Sequence, residues 1–286
     1  MNKLSSKLLA ALIAGALVLS ACGKKEEQPA TPPAAQQSDA KPAEPAKPAV
    51  KELVVGTDAA YAPFESENEN KEIVGFDIDV VKAIAEKAGV QVKFVNTPWE
   101  GIFKTLDQGD RDLLVSAITI TDERKQSMDF SEPYFEAKQL IAVSSNSKVQ
   151  KLEDLKKLKV GVQTGTTGDE VVQKLQGKTS PNIKRFESTP LALKELEAGG
   201  VDAVVADNGV VINYVKNNSD KGFRMVEDAT FAKEFYGLAV KKGNAELVAK
   251  LNEGLKKIKE DGTYDKIYAQ YFAETKAAAP AEAAKQ

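Results

Sequence analysis

Residues 160–168 read Val-Gly-Val-Gln-Thr-Gly-Thr-Thr-Gly. A short apolar run gives way to a polar turn, and helix-spaced apolars follow over 169–175. Strand 183–186, helix 191–198 and strand 203–205 come next. The same order occurs upstream. Strand 53–56 leads through a turn at Pro63 to a helix over 78–88 (Ile78, Val81, Ile84, Ala85, Ala88) closed by Gly89. Strand 90–95, helix 102–106 and strand 112–115 complete that set, and strand 140–143 precedes the restart at Val160. The last part has strand 237–240 and helices 246–259 and 264–272. Strand–helix alternation run twice predicts two α/β lobes with largely parallel sheets. The two halves share an order of elements, not a repeated sequence. In open α/β sheets ligands sit beyond the carboxyl ends of strands, so the informative residues are those that follow strands directly.

Composition narrows the chemistry. The 286 residues carry 39 Lys+Arg against 42 Asp+Glu, a net charge of −3, which is not the balance of a nucleic-acid binder. There is no histidine, so Ser-His-Asp, Cys-His and histidine-ligated metal sites are excluded. The single cysteine, Cys22, excludes internal disulfides and thiolate clusters. No metal and no cofactor is expected.

The ends are not part of the fold. Residues 1–21 read as a signal peptide, with Lys3 and Lys7 ahead of an apolar run over 8–19. Leu19-Ser20-Ala21-Cys22 resembles a bacterial lipobox, which implies cleavage before Cys22 and acylation there. Residues 22–50 are rich in Lys, Glu, Gln, Pro and Ala and read as a disordered tether behind that lipid anchor. Residues 274–286 are similar. The expected product is exported and faces the periplasm or exterior. It is held at the cell membrane or outer membrane, with Gly23 leaving the choice of membrane open.

Four strand exits carry polar groups. The first is Thr57-Asp58-Ala59-Ala60-Tyr61-Ala62-Pro63-Phe64-Glu65. The second runs from Ser116 and Ala117 through Thr119 to Thr121-Asp122-Glu123-Arg124. Thr121 reads as an N-cap with two acids in the first turn, as the helix dipole prefers. Arg124 opposes that dipole. It either holds an anion with nearby N–H groups or pairs on the surface with Asp122 or Glu123. The third exit, Gln163 through Thr166, Thr167 and Gly168, offers hydroxyls and N–H groups at another helix start. It is not a P-loop, since no lysine follows the second glycine. The fourth is Ala206-Asp207-Asn208, where an acid either accepts an ammonium or caps the next helix. Ser145-Asn146-Ser147-Lys148 fits a Ser-x-x-Lys spacing but lies in a polar loop and reads as chance. Together the exits supply one cation, hydroxyls and N–H groups for a carboxylate, and acids for an amine. That inventory fits a zwitterionic amino acid.

These stretches resemble the family 3 extracellular solute-binding proteins of ABC importers. Gly75-Phe76-Asp77-Ile78-Asp79, Asp129-Phe130-Ser131 and Asp261-Gly262-Thr263-Tyr264 add to the likeness, which covers about 51–273. The resemblance implies an α/β, two-lobe type II periplasmic-binding-protein fold with two hinge crossings, near 137–141 and 235–237. Lobe 1 is then 51–138 plus 238–273, and lobe 2 is 139–237. It further implies a role for each site residue. Arg124 grips a ligand α-carboxylate with Thr119 and the Thr166-Thr167 backbone. Asp207 takes the α-ammonium with the Ala117 carbonyl and Thr119 hydroxyl. Tyr61 and Trp99 sandwich the side chain, and Asp58, Asp77 and Ser116 face its distal end.

Glutamine binders usually carry Lys where Gln163 stands and His where Ala206 stands, so both departures point away from glutamine. Asp58, Tyr61 and Trp99 suit a guanidinium or ammonium, and Gln163 adds a bond to a guanidinium. Arginine is therefore favoured, then lysine, ornithine or histidine, with glutamine or cystine as the alternative. The resemblance implies a monomer that is no enzyme, with a membrane permease as partner and no nucleic acid. A dehydratase-like enzyme and a sensory binding protein on the same fold are the rival classes.

Overall fold

The computed structural model describes residues 52–272. The leader, Cys22, the tether and the tail expected above lie outside these residues.

A first five-stranded sheet runs in the order Gln91–Asn96, Glu52–Thr57, Leu113–Leu114, Ala239–Lys241, Met128–Phe130. A second has the order Ile183–Phe186, Val160–Gln163, Ala203–Asp207, Phe135–Ser144, Phe223–Val226, with Lys233–Tyr236 also paired to Phe135–Ser144. A small meander, Ala60–Tyr61, Glu65–Glu67 and Ile73–Val74, occupies what the sequence reads as a plain turn through Pro63.

The second sheet shows why its strands read as unbroken apolar runs. Ile141 and Val143 pack with Val160, Val162, Val205 and Val172 on one face. Their neighbours Leu140 and Ala142 pack with Val204, Ala206, Leu193 and Val211 on the other. Successive strand residues point to opposite faces, and helices cover both. Helix Thr167–Gln176 supplies Val172, Thr189–Glu197 supplies Leu193, and Asn208–Asn217 supplies Val211. Truncating Ile141 to Ala in such a core is expected to cost about 2–5 kcal/mol.

The sheets are mixed, which corrects the expectation of largely parallel ones. Glu52–Thr57 is parallel to both its neighbours, and Val160–Gln163 is parallel to both of its own. Ala239–Lys241 and Phe135–Ser144 run antiparallel to theirs. Neither of these two strands is reached by a strand–helix–strand crossover within its own sheet. Each is entered by chain arriving from the other sheet, so nothing imposes parallel direction. Lys233–Tyr236 and the first residues of Phe135–Ser144 pair antiparallel, Lys138 opposite Lys233 and Phe135 opposite Tyr236. These two segments are the crossings of the two-lobe fold.

Two local features prepare the site. Helix Phe76–Ala88 begins after Gly75, whose φ is 140° and where a Cβ would lie 2.1 Å from the Phe64 carbonyl oxygen. Only glycine lets the helix start approach the Phe64–Glu65 backbone so closely. Strands Glu52–Thr57, Leu113–Leu114, Val160–Gln163 and Ala203–Asp207 are followed within two residues by Asp58, Ser116, Thr164 and Asn208, and all four polar exits open toward one place.

Candidate functional site

That place is a cavity lined by Asp58, Tyr61, Trp99, Ser116, Ala117, Thr119, Arg124, Gln163, Thr166, Thr167 and Asp207, with about 320 Å³ of empty space including its mouth. The lining brings together every ligand-site residue chosen from the sequence except Asp77.

Arg124 is half-buried at one end. Thr121 caps its helix, Asp122–Ser127, by accepting the Arg124 N–H at 3.1 Å. The guanidinium donates to the Thr119 carbonyl at 2.9 Å and reaches the Gly165 carbonyl at 3.5 Å. It lies over the rings of Trp99 and Phe103, 5.3 and 5.2 Å from their centroids. Trp99 therefore faces Arg124 as well as the cavity. Among the described residues Arg124 forms no ion pair, while Asp122 meets Lys125 at 4.0 Å. The surface-pair alternative does not occur. Burial lowers its pKa, and Glu170, Asp207 and Glu234 act in the opposite direction, so the group stays cationic. Facing it, Thr166 caps helix Thr167–Gln176 by accepting the Asp169 N–H at 3.2 Å. The first N–H groups of that helix precede any intrahelical acceptor and suit an anion.

Asp207 marks a second end. It occupies the N-cap position of helix Asn208–Asn217 without a side-chain cap bond, so capping is not its role. Its Oδ2 accepts the hydroxyls of Tyr61 at 2.9 Å and Tyr236 at 2.6 Å, and its Oδ1 accepts the Gln139 amide. Burial, with Glu234 nearby, raises its pKa to about 6 despite those bonds. A cation is what such a carboxylate lacks.

Asp58 and Gln163 form a third corner. Gln163 Nε2 donates to Asp58 Oδ2 at 3.2 Å and to the Glu187 carbonyl at 3.0 Å, while its Oε1 accepts the Thr189 hydroxyl at 3.1 Å. Burial raises the Asp58 pKa, and the Gln163 bond partly offsets this. Ser116 accepts the Asp58 N–H at 3.1 Å and donates to Glu65 Oε1 at 2.8 Å.

Asp77 corrects the sequence expectation. It is fully buried behind the wall rather than in the cavity, because helix Phe76–Ala88 carries it into the core. Its Oδ2 accepts the Ala117 N–H at 2.8 Å and the Tyr134 hydroxyl at 2.7 Å. Ala117 has φ of 47°, the left-handed region that a residue with a Cβ seldom adopts. Asp77 thus holds a lining residue in place. Glu65, also fully buried, is its neighbour. Glu65 Oε2 and Asp77 Oδ1 have no other hydrogen-bond partner. Two buried carboxylates this close do not both ionise. Burial raises both, and the Asp77 charge pushes Glu65 up further, so the pair retains a proton between them.

Sequence reasoning missed Gln139, Glu234, Tyr236 and Phe103 as parts of this site. Gln139 had a signal, as the one polar residue heading the apolar run Gln139-Leu140-Ile141-Ala142-Val143. Glu234 had none, since Lys233-Glu234-Phe235-Tyr236 carries no motif and precedes the strand read over 237–240. Among the described residues no group of acids or cysteines is arranged to hold a metal.

Two sheets joined by two crossings, with polar strand exits converging on one cavity, define a two-lobe binding protein. Residues 53–274 match the model of the bacterial extracellular solute-binding proteins, family 3, and the chain belongs to that family. It is 47% identical over 267 residues to a probable histidine-binding protein of Neisseria gonorrhoeae, covering 93% of this chain and 95% of that one. It is 32% identical over 228 residues to an L-arginine-binding protein of Pseudomonas aeruginosa, covering 78% and 88%. The arginine-, lysine-, histidine-binding protein ArtJ of Geobacillus stearothermophilus superposes with a TM-score of 0.76 at 48% identity, covering 78% of this chain and 96% of that one. These relatives are named for binding, not for catalysis.

Proposed function

We propose that this protein captures a cationic L-amino acid, arginine foremost, and delivers it to the permease of an ABC importer. One observation carries the choice of cation. The cavity lining sets two carboxylates, Asp58 and Asp207, against a single guanidinium, Arg124, with Glu234 one hydrogen bond behind that lining, so negative charge is in excess. A neutral zwitterion leaves that excess in place; an amino acid with a second cation reduces it. Charge-assisted bonds are the strong ones in a site this enclosed.

In this reading Arg124 and the start of helix Thr167–Gln176 hold the α-carboxylate. Asp207 and Thr119 take the α-ammonium, with the Ala117 carbonyl. Asp58 and Gln163 meet the distal cation, which passes beside Tyr61 and Trp99. The lobes, 51–138 plus 238–273 and 139–237, close on the ligand by bending at the two crossings, and contacts made only when closed drive that motion. A lipid on Cys22 and the stretch 22–50 tether a monomer to the membrane that holds the permease.

The test is a melt screen of refolded protein against the twenty amino acids, ornithine, citrulline and cystine. The largest shift is expected with L-arginine, then lysine, ornithine or histidine. A larger shift with glutamine or cystine would overturn the cationic assignment, and a shift with none would overturn amino-acid capture.

A further inference from the structure

Glu234 lies outside the cavity lining, on the return crossing Lys233–Tyr236. Its Oε2 accepts the hydroxyl of Thr119 at 2.7 Å and the hydroxyl of Thr167 at 2.7 Å. Its Oε1 accepts the Gln139 amide at 3.0 Å, and the same Gln139 nitrogen bonds Asp207 Oδ1 and lies 3.2 Å from Thr167 Oγ1. Thr119 follows a strand of the first sheet, and Thr167 opens a helix of the second. One carboxylate oxygen on a crossing therefore joins a hydroxyl from each side, and both of those threonines line the cavity.

A hydroxyl has one hydrogen and two lone pairs. With both hydrogens committed to Glu234, neither threonine has a proton left to give a ligand; each can only accept. The Gln139 hydrogens are likewise turned to the two carboxylates. The wall around Asp207 thus consists of acceptors, in a place where an unmatched buried lone pair is costly.

We propose that Glu234 is a positioning residue for the ammonium end. By fixing where the Thr119 and Thr167 hydrogens point, it makes that wall demand a ligand rich in donors and reject one that brings lone pairs or carbon. This rests on the amino-acid reading above and adds to it a residue that touches no ligand.

The experiment pairs L-arginine with 5-guanidinopentanoate, which lacks only the α-amine, and measures both by calorimetry or competition on wild type and Glu234→Gln. The amide is isosteric but brings donors of its own. Arginine affinity is expected to fall at least tenfold, and that of the des-amino compound to change less than about threefold. Equal loss for both compounds, or no loss, overturns the proposal, because a residue that only steadied the crossing would not distinguish them. Thr119→Val in a Thr167→Val background guards against a folding failure of the amide variant. It is expected to show the same amine-selective loss, and adding Glu234→Gln to it should remove no further selectivity; further selective loss overturns the proposal too. If wild type itself binds no amino acid, the functional reading falls and this inference with it.

Discussion

Gln163 Nε2 lies 3.2 Å from Asp58 Oδ2, joining the exit of strand Val160–Gln163 to the exit of strand Glu52–Thr57 across the cavity. The amide is itself held by Glu187 and Thr189, so it meets Asp58 in a set orientation and leaves the carboxylate with accepting capacity to spare. A carboxylate that accepts only from neutral donors, the Gln163 amide and the Trp99 backbone N–H, while burial raises its pKa, is poised for a ligand cation.

Asp58→Asn should therefore act on charge. Arginine affinity is expected to fall by about 10–100-fold, the size of one charge-assisted bond, with glutamine changing less than about threefold. Isothermal titration with both ligands checks this. Equal losses would mean that Asp58 does not read the distal group.

Arg124→Ala should remove binding of every α-amino acid, since among the described residues the guanidinium is the only cation lining the cavity. Arg124→Lys should recover little, because a lysine cannot reproduce the planar fork beside Trp99 and Phe103. Normal binding by the alanine variant would refute the carboxylate assignment.

Affinity should depend on pH through Asp207. Its pKa stands at about 6 without ligand, and a bound ammonium favours the ionised form, so binding expels a proton below that pH. Affinity is then full near pH 7.5 and about tenfold weaker near pH 5. The same raised pKa acts oppositely on the ligand-free fold. The folded state holds its proton more tightly than the unfolded one. This term therefore favours folding at low pH and is lost as pH rises from the ordinary carboxylate range through about 6. The thermal shift given by arginine should be larger at pH 7.5 than at pH 5. A flat affinity profile across that window would remove Asp207 from the ammonium site.

Asp77→Ala should destabilise without touching the ligand. It strips the partner from the Ala117 N–H and from the Tyr134 hydroxyl, both buried. The expected cost is about 2–5 kcal/mol in a urea melt, with a weaker arginine affinity as Ala117 leaves its left-handed conformation. Unchanged stability would show that Asp77 does not hold that wall.

The contrast between Asp58 and Asp77 shows what was legible. Both stand in acid-bearing motifs, and from the chain alone both qualify for the distal end. Asp58 follows a strand and faces the cavity, whereas Asp77 opens a helix whose first turn enters the core. A helix start can point either way, and the choice is made by packing against Phe64, Tyr134 and the glycine at position 75. Strand direction was hidden for a similar reason. Apolar runs such as Leu140-Ile141-Ala142-Val143 are buried on both faces whichever way they run.

Local chemistry along the chain determined the alternation of strands and helices, the polar strand exits and the absence of histidine chemistry, because periodicity, caps and residue type are properties of neighbours in sequence. The tertiary structure alone decided which acid faces the cavity, which strands oppose their neighbours, and that Glu234 joins Thr119 to Thr167. Those residues are separated by 115 and 67 positions. Contacts at such range depend on how the chain crosses between sheets, which no short stretch of sequence encodes.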